Sequence, residues 1–199
     1  GKLNMNKKKI IGVCVVIFVI VFVAICIALV QFSKKDLEEA KKRVEETQGK
    51  YGWVEKENID VLVAKFNTQV MDNDSSSLNP ASTDYLTESN NEYWYGLIEG
   101  VYLVVVPEKY TGDKTTEVVD YMLLYVDKTS KYETDAISYI KHLIKANNNQ
   151  ITDSEIETLL ENVKSMPNSG ETSNNGKGIS IGYTENDEAY QFQVLRLYK

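Results

Sequence analysis

Beyond residue 32 this chain contains no cysteine, and in all 199 residues it has one histidine and three prolines. Each shortage removes a class of chemistry. Without thiols, residues 33–199 can form neither a disulfide framework nor a thiolate metal site. A single imidazole cannot make a zinc cluster. Nor does the imidazole sit where a catalytic base would. On a helix started at Ile137 and advanced by about 100° per residue, Ile140, Leu143 and Ile144 fall near 300°, 240° and 340°, while His142 falls near 140°. That places His142 on the solvated side, away from any Ser–His or Cys–His pairing. Basic residues are also in short supply. Residues 33–199 hold 18 Lys and Arg against 29 Asp and Glu, a balance of −11. Such a domain repels nucleic acid and anionic lipid head groups, so no nucleic-acid partner is expected.

Motifs are equally scarce. Gly176-Lys177-Gly178 lacks the GxxxxGK[ST] spacing of a phosphate loop and precedes a strand, so it reads as a turn. Asp72-Asn73-Asp74-Ser75-Ser76 offers oxygen ligands for calcium but lacks the Gly and the closing Glu of an EF-hand loop. Asp153, Glu155, Glu157 and Glu161 read as the negative complement of a helix N-terminus and its wet face, not as an acid–base pair. No cofactor is called for, and no catalytic residue can be assigned.

What the chain does have is one long apolar run. Ile10 to Phe32, IIGVCVVIFVIVFVAICIALVQF, carries no charge, and about 20 such residues span the hydrocarbon core of a bilayer as a helix. Both cysteines, Cys14 and Cys26, lie within it. Four organisational segments follow: a short cytoplasmic tail over 1–9, a transmembrane helix over 10–32, a helical stalk over 33–52, and an extracytoplasmic α+β domain over 53–199. The orientation rests on the basic tail, whose consecutive Lys7, Lys8 and Lys9 resist translocation, although Lys34, Lys35, Lys41, Lys42 and Arg43 follow the span closely. Cleavage after Ala28 would need a shorter apolar run, and lipidation at Cys26 would need a small residue in place of Ile25. A retained anchor is the expectation.

Ser33 to Lys50 is built of helix formers with opposite charges three and four apart, and bears one thin apolar stripe, Leu37, Ala40 and Val44. From Asn58 to about Met71, Ile59, Leu62, Val63, Phe66 and Val70 recur at helical spacing. Strands are then expected at about Asp84–Thr87, Glu92–Ile98, Val101–Pro107 and Thr116–Asp127, with a tight hairpin at Glu99-Gly100. Val101 to Val106 is apolar on both faces, which marks a central strand covered on both sides. Helices over Thr134–Ala146 and from a Thr152/Glu155 capping box to about Met166 follow. An exposed loop over Asn168–Lys177 then leads to a closing hairpin, Gly178–Thr184 and Ala189–Tyr198. The order is α-ββββ-αα-ββ: an α+β domain with a mainly antiparallel sheet and helices on one face. Its core should include Leu62, Phe66, Leu103, Val105, Leu124, Ile140, Ile144, Leu160 and Val163.

Aromatics are the one abundance bearing on function: 13 Tyr and 2 Trp. In Tyr93-Trp94-Tyr95 the alternation of a strand puts both tyrosines on one face and Trp94 on the other, and Tyr121, Leu123 and Tyr125 share a face. These three neighbours, Tyr93, Trp94 and Tyr95, are the candidate binding residues, since large amphipathic rings in an acidic domain suit a neutral glycan or a basic partner. The layout is similar to the anchored extracytoplasmic domains of Gram-positive bacteria, though no motif names a family. The expected function is a membrane-anchored binding module of a bacterial-type cell envelope, held to the lipid bilayer through residues 10–32 and taking a protein or a cell-wall glycan. The alternatives are a structural subunit of a multiprotein membrane machine and a carboxylate- or metal-dependent envelope hydrolase.

Overall fold

The residues that recur at helical spacing from Ile59 form the buried stripe of the first helix, α1 (Ile59–Asn73). In the computed structural model, residues 54–73, 78–166, 172–174 and 177–198 are described, together with residue 42. All but the last belong to one compact unit, Thr47–Lys199. The tail and membrane span expected over 1–32 lie outside the described residues, as does the expected stalk apart from Lys42. Among the described residues no helix is long and apolar enough to cross a membrane.

After α1 the chain makes a short 3-10 turn (Thr83–Tyr85) and the strands β1 (Leu86–Ser89), β2 (Glu92–Ile98), β3 (Val101–Pro107) and β4 (Val119–Asp127). Two helices follow, α2 (Glu133–Asn147) and α3 (Asp153–Lys164), and then β5 (Thr172–Asn174), β6 (Ile179–Glu185) and β7 (Ala189–Arg196). The strands lie in the order β1-β2-β3-β4-β7-β6-β5. Every neighbouring pair is antiparallel, which makes a six-stranded antiparallel sheet extended at one edge by the three-residue β5. The class is α+β, as expected.

Local chemistry explains where the strand boundaries depart from expectation. The Ser82 hydroxyl accepts the Asp84 amide and curls 83–85 into a turn, so β1 starts later, at Leu86. It pairs with β2 across Asn90-Asn91, both at positive φ (53° and 62°), the backbone of a two-residue hairpin turn. The Asp113 carboxylate accepts the Thr115 amide and hydroxyl, and its carbonyl accepts the Thr116 and Glu117 amides. That turn holds 113–117 out of the sheet, so β4 begins at Val119 and not at Thr116. Gly100, at φ +77°, closes the β2–β3 hairpin where an added Cβ would come within 2.9 Å of the Ser130 Cβ. A further correction concerns Asn168–Lys177: this stretch contains β5, which pairs with β6, so three strands and not two follow the helices.

The three helices bury their side chains in one cluster with the inward residues of the strands, Tyr93, Tyr95, Leu97, Val101, Leu103, Val105, Met122, Leu124, Phe192 and Val194 among them. All nine core residues expected from the sequence belong to it. His142 does not lie where the sequence placed it. It is 9% exposed, whereas Ile137, which set the phase of the expected stripe, is 43% exposed. The buried arc of α2 runs through Ala136, Tyr139, His142 and Ala146 as well as the large aliphatics. The physical reason is coverage from several sides, for α2 packs against α1, α3, β4 and β7.

Candidate functional site

Alternation along β2 separates the three candidate residues as the sequence requires and decides between their faces. Tyr93 and Tyr95 point into the core, at 0% and 2% exposure, and Trp94 points outward. Outward residues from neighbouring strands line up by register in three rows across the sheet. One runs Thr87, Trp94, Val104, Leu123, Gln193, Gly182. A second runs Gly96, Tyr102, Tyr125, Gln191, Thr184, and a third Val106, Tyr121, Leu195, Ser180. No residue of these rows is charged.

Three of the rings converge. Trp94, Tyr102 and Tyr125 have centroids 5.5–6.2 Å apart and meet edge to face at 60–64°, the arrangement that aromatic quadrupoles favour. Val104 and Leu123, in the row of Trp94, are buried although they lie outside the helix-side cluster. The strand Val101 to Val106 is thus buried on its helix side along its length but on the outward side only at Val104, with Val106 half-buried and Tyr102 exposed. The expectation of cover on both sides holds in part. The patch still reaches solvent, with Tyr102 37% exposed and Tyr85 71% exposed. Tyr85 continues it, because a Cβ built on Gly96 would lie 3.6 Å from the Tyr85 Cβ and 3.9 Å from the Tyr102 ring. The indole of Trp94 donates to the Glu92 carboxylate at 3.1 Å. Sequence reasoning singled out Tyr125 for its face but missed Tyr102. The β2–β3 register set by the Glu99-Gly100 turn, which puts Tyr102 opposite Gly96 and so beside Trp94 on the same face, is the signal that would have found it.

Two polar arrangements lie elsewhere. Glu117 is buried, and its carboxylate accepts the Tyr93 hydroxyl, the Thr111 amide and, at 2.9 Å, the Gly112 amide. Burial pushes this carboxyl up, but the donated hydrogen bonds outweigh it and hold the group below the ordinary glutamate range. Since the folded value is the depressed one, the contribution of Glu117 to stability is complete above the unfolded value of about 4.3 and is lost as pH falls through the folded value. Glu117→Gln should flatten the acid limb of a stability–pH curve relative to the native chain. It should also cost about 1–3 kcal/mol at neutral pH, because buried donors lose an acceptor. Chemical denaturation from pH 3 to pH 7 measures both, and parallel curves for the two chains would show that Glu117 does not titrate in this way.

The second arrangement is a groove of about 790 Å³ between α1 and the end of α2, with Arg196 at its base. The guanidinium donates through Nε to the Tyr198 hydroxyl (3.1 Å), through one Nη to Asn147 (2.6 Å) and through the other to the Glu55 carbonyl (2.8 Å) and the Glu57 carboxylate (2.9 Å). Each of its nitrogens is spent on the chain itself, so the groove offers this cation to the fold and not to a ligand.

The remaining sequence candidates resolve simply. Lys177 donates to the Gln150 carbonyl and the Glu155 carboxylate, both at 2.9 Å, which ties the turn before β6 to the start of α3. Thr152 and Glu155 form the reciprocal capping box, and Asp153 and Glu157 pair with Lys145 and Lys141. In the stretch with calcium-type ligands, Asp72 is exposed at the end of α1, and residues 74–77 lie outside the described residues. Among the described residues no group of three or more His, Cys, Asp and Glu could hold a metal ion. Comparison of the chain with protein-family models, with curated proteins and with solved structures finds no match.

Proposed function

We propose that this chain is a membrane-anchored binding module of a bacterial-type cell envelope, with its domain over 53–199 outside the cytoplasm and its ligand held on the outward face of the sheet. One observation carries the binding reading: Trp94, Tyr102, Tyr125 and Tyr85 form an aromatic patch that reaches solvent on the side away from the helix-packed core. Aromatic residues are enriched in the anchors of binding surfaces, and contiguous exposed apolar patches mark them. The anchoring rests on the uncharged run at 10–32, and the orientation on the lysines before it. Tyr93 and Tyr95 then serve the site from beneath, as core residues that fix the strand carrying Trp94.

Two measurements test the reading. Protease added to spheroplasts should digest the domain, and protection until lysis would reverse the orientation. Tyr102→Ala should weaken retention of the full chain on a cell-envelope fraction by about 30-fold, the effect of losing a hot spot of about 2 kcal/mol, while its melting temperature holds. Met71→Ala, on the exposed side of α1, should leave retention unchanged. Equal retention for the native chain and the Tyr102 variant would remove the patch as the binding surface.

A further inference from the structure

Resting on the reading of the outward face as a ligand surface, we infer that its ligand is an uncharged polysaccharide chain laid across the strands, stacked on Trp94, Tyr102 and Tyr125 and hydrogen-bonded by Gln191, Gln193 and Thr184. Charge decides the class. Residues 54–199 hold 12 basic and 24 acidic side chains, yet the three outward rows contain neither kind. An anionic polymer would meet no cation on this face and a repelling domain around it. Two carboxylates, Glu92 and Asp127, flank the rows on the same face. Each already accepts hydrogen bonds from the chain, Glu92 from the Trp94 indole and Asp127 from the Thr129 amide and hydroxyl. A basic peptide would therefore meet acids at the edges of the rows and none within them.

The chemistry that remains is that of a sugar. A pyranose ring has an apolar C–H face and an equator of hydroxyls. Aromatic rings take the first, and side chains that both donate and accept take the second. The row through Tyr102 orders these groups in sequence: Tyr102 and Tyr125, then Gln191, then Thr184. From β2 to β6 that row crosses four strand spacings of about 4.8 Å, or about 19 Å, room for a short oligosaccharide. At its far end a cleft of about 140 Å³, lined by Tyr125, Gln191, Thr184 and Asn186, supplies more polar groups. The one acid there, Glu185, pairs with Lys128 at 3.1 Å. Because the ring planes are inclined at 60–64°, the platform is puckered. It fits a single twisted chain, whereas a flat crystalline surface needs coplanar rings.

The test is calorimetric titration of the full chain in lipid nanodiscs with chitohexaose, cellohexaose and maltohexaose, beside anionic hyaluronan oligosaccharides and a polylysine peptide. At least one neutral hexasaccharide should bind, and Tyr102→Ala and Tyr125→Ala should each weaken it at least about tenfold. Gln191→Ala, which leaves every ring in place, should weaken it too, and it carries the test if a ring variant fails to fold. Binding of none of the neutral sugars, preference for hyaluronan or polylysine, or affinity unchanged in all three variants overturns the inference. If the neutral sugars fail while Tyr102→Ala still abolishes retention on the envelope fraction, the glycan is wrong and the binding face stands. If retention survives as well, both readings fall.

Discussion

Arg196→Met is expected to destabilise the domain by about 2–4 kcal/mol, because two buried acceptors lose their donor and an unsatisfied buried group costs about 1–3 kcal/mol. The methionine would fill most of the space, so the loss comes from what the guanidinium leaves behind. The Glu57 carboxylate would lose one of its two cationic partners and keep the other, Lys65. The Asn147 amide oxygen and the Glu55 carbonyl would each lose a donor at the base of the groove. Tyr198, whose hydroxyl receives Nε and donates to the Val119 carbonyl at 2.6 Å, would lose half of its fixed geometry. Arg196→Lys should cost less than methionine but still destabilise, because an ammonium carries the charge without the planar fork that reaches four partners at once. Urea denaturation of the three chains measures both differences. A methionine variant within about 1 kcal/mol of the native chain would show that the network is not what joins the segment before α1 to β7.

Phe66→Ala should cost a similar amount, about 3–5 kcal/mol, by a different route. Phe66 sits fully buried in the middle of α1 and stacks on Tyr139 of α2 with centroids 6.2 Å apart. Tyr139 is pinned in turn, its hydroxyl donating to the Asn79 carbonyl at 2.8 Å. A ring held at one end by a hydrogen bond cannot slide into the space that Phe66 vacates, so the cavity persists and its full penalty applies. Phe66→Leu refills most of the volume and should recover most of the loss. Equal melting temperatures for the alanine variant and the native chain would mean that α1 repacks freely against α2.

These two sites also show how far the sequence reaches. Phe66 was legible because its spacing with Leu62 and Val70 states a helical face within a dozen residues. The capping box of α3 was legible for the same reason, being a contact three residues long. Arg196 was not, since its partners lie 49 and 139 positions away and no local pattern brings them together. The aromatic patch falls between these cases. Alternation separated Trp94 from Tyr93 and Tyr95, but which side the helices cover is a property of the whole sheet. His142 was misplaced for a related reason: a helix contacted from several sides buries a wide arc, and the stripe of large aliphatics then marks only part of it.

The place of β7 in the sheet has a consequence for synthesis. β7 lies between β4 and β6, so the strand made last of all those described completes the centre. Its final residue, Arg196, reaches back to Glu55 and Glu57 among the domain's first described residues. Until Ala189–Arg196 has been made and, on the proposed topology, has crossed the membrane, β4 and β6 are unpaired along the edges that face one another, and α2 lacks part of the sheet it packs on. Closure is dominated by contacts between distant parts of the chain, which are slow to form. The sheet therefore cannot close until β7 is in place. In that interval two open strand edges offer unpaired backbone groups to any other chain that can pair with them.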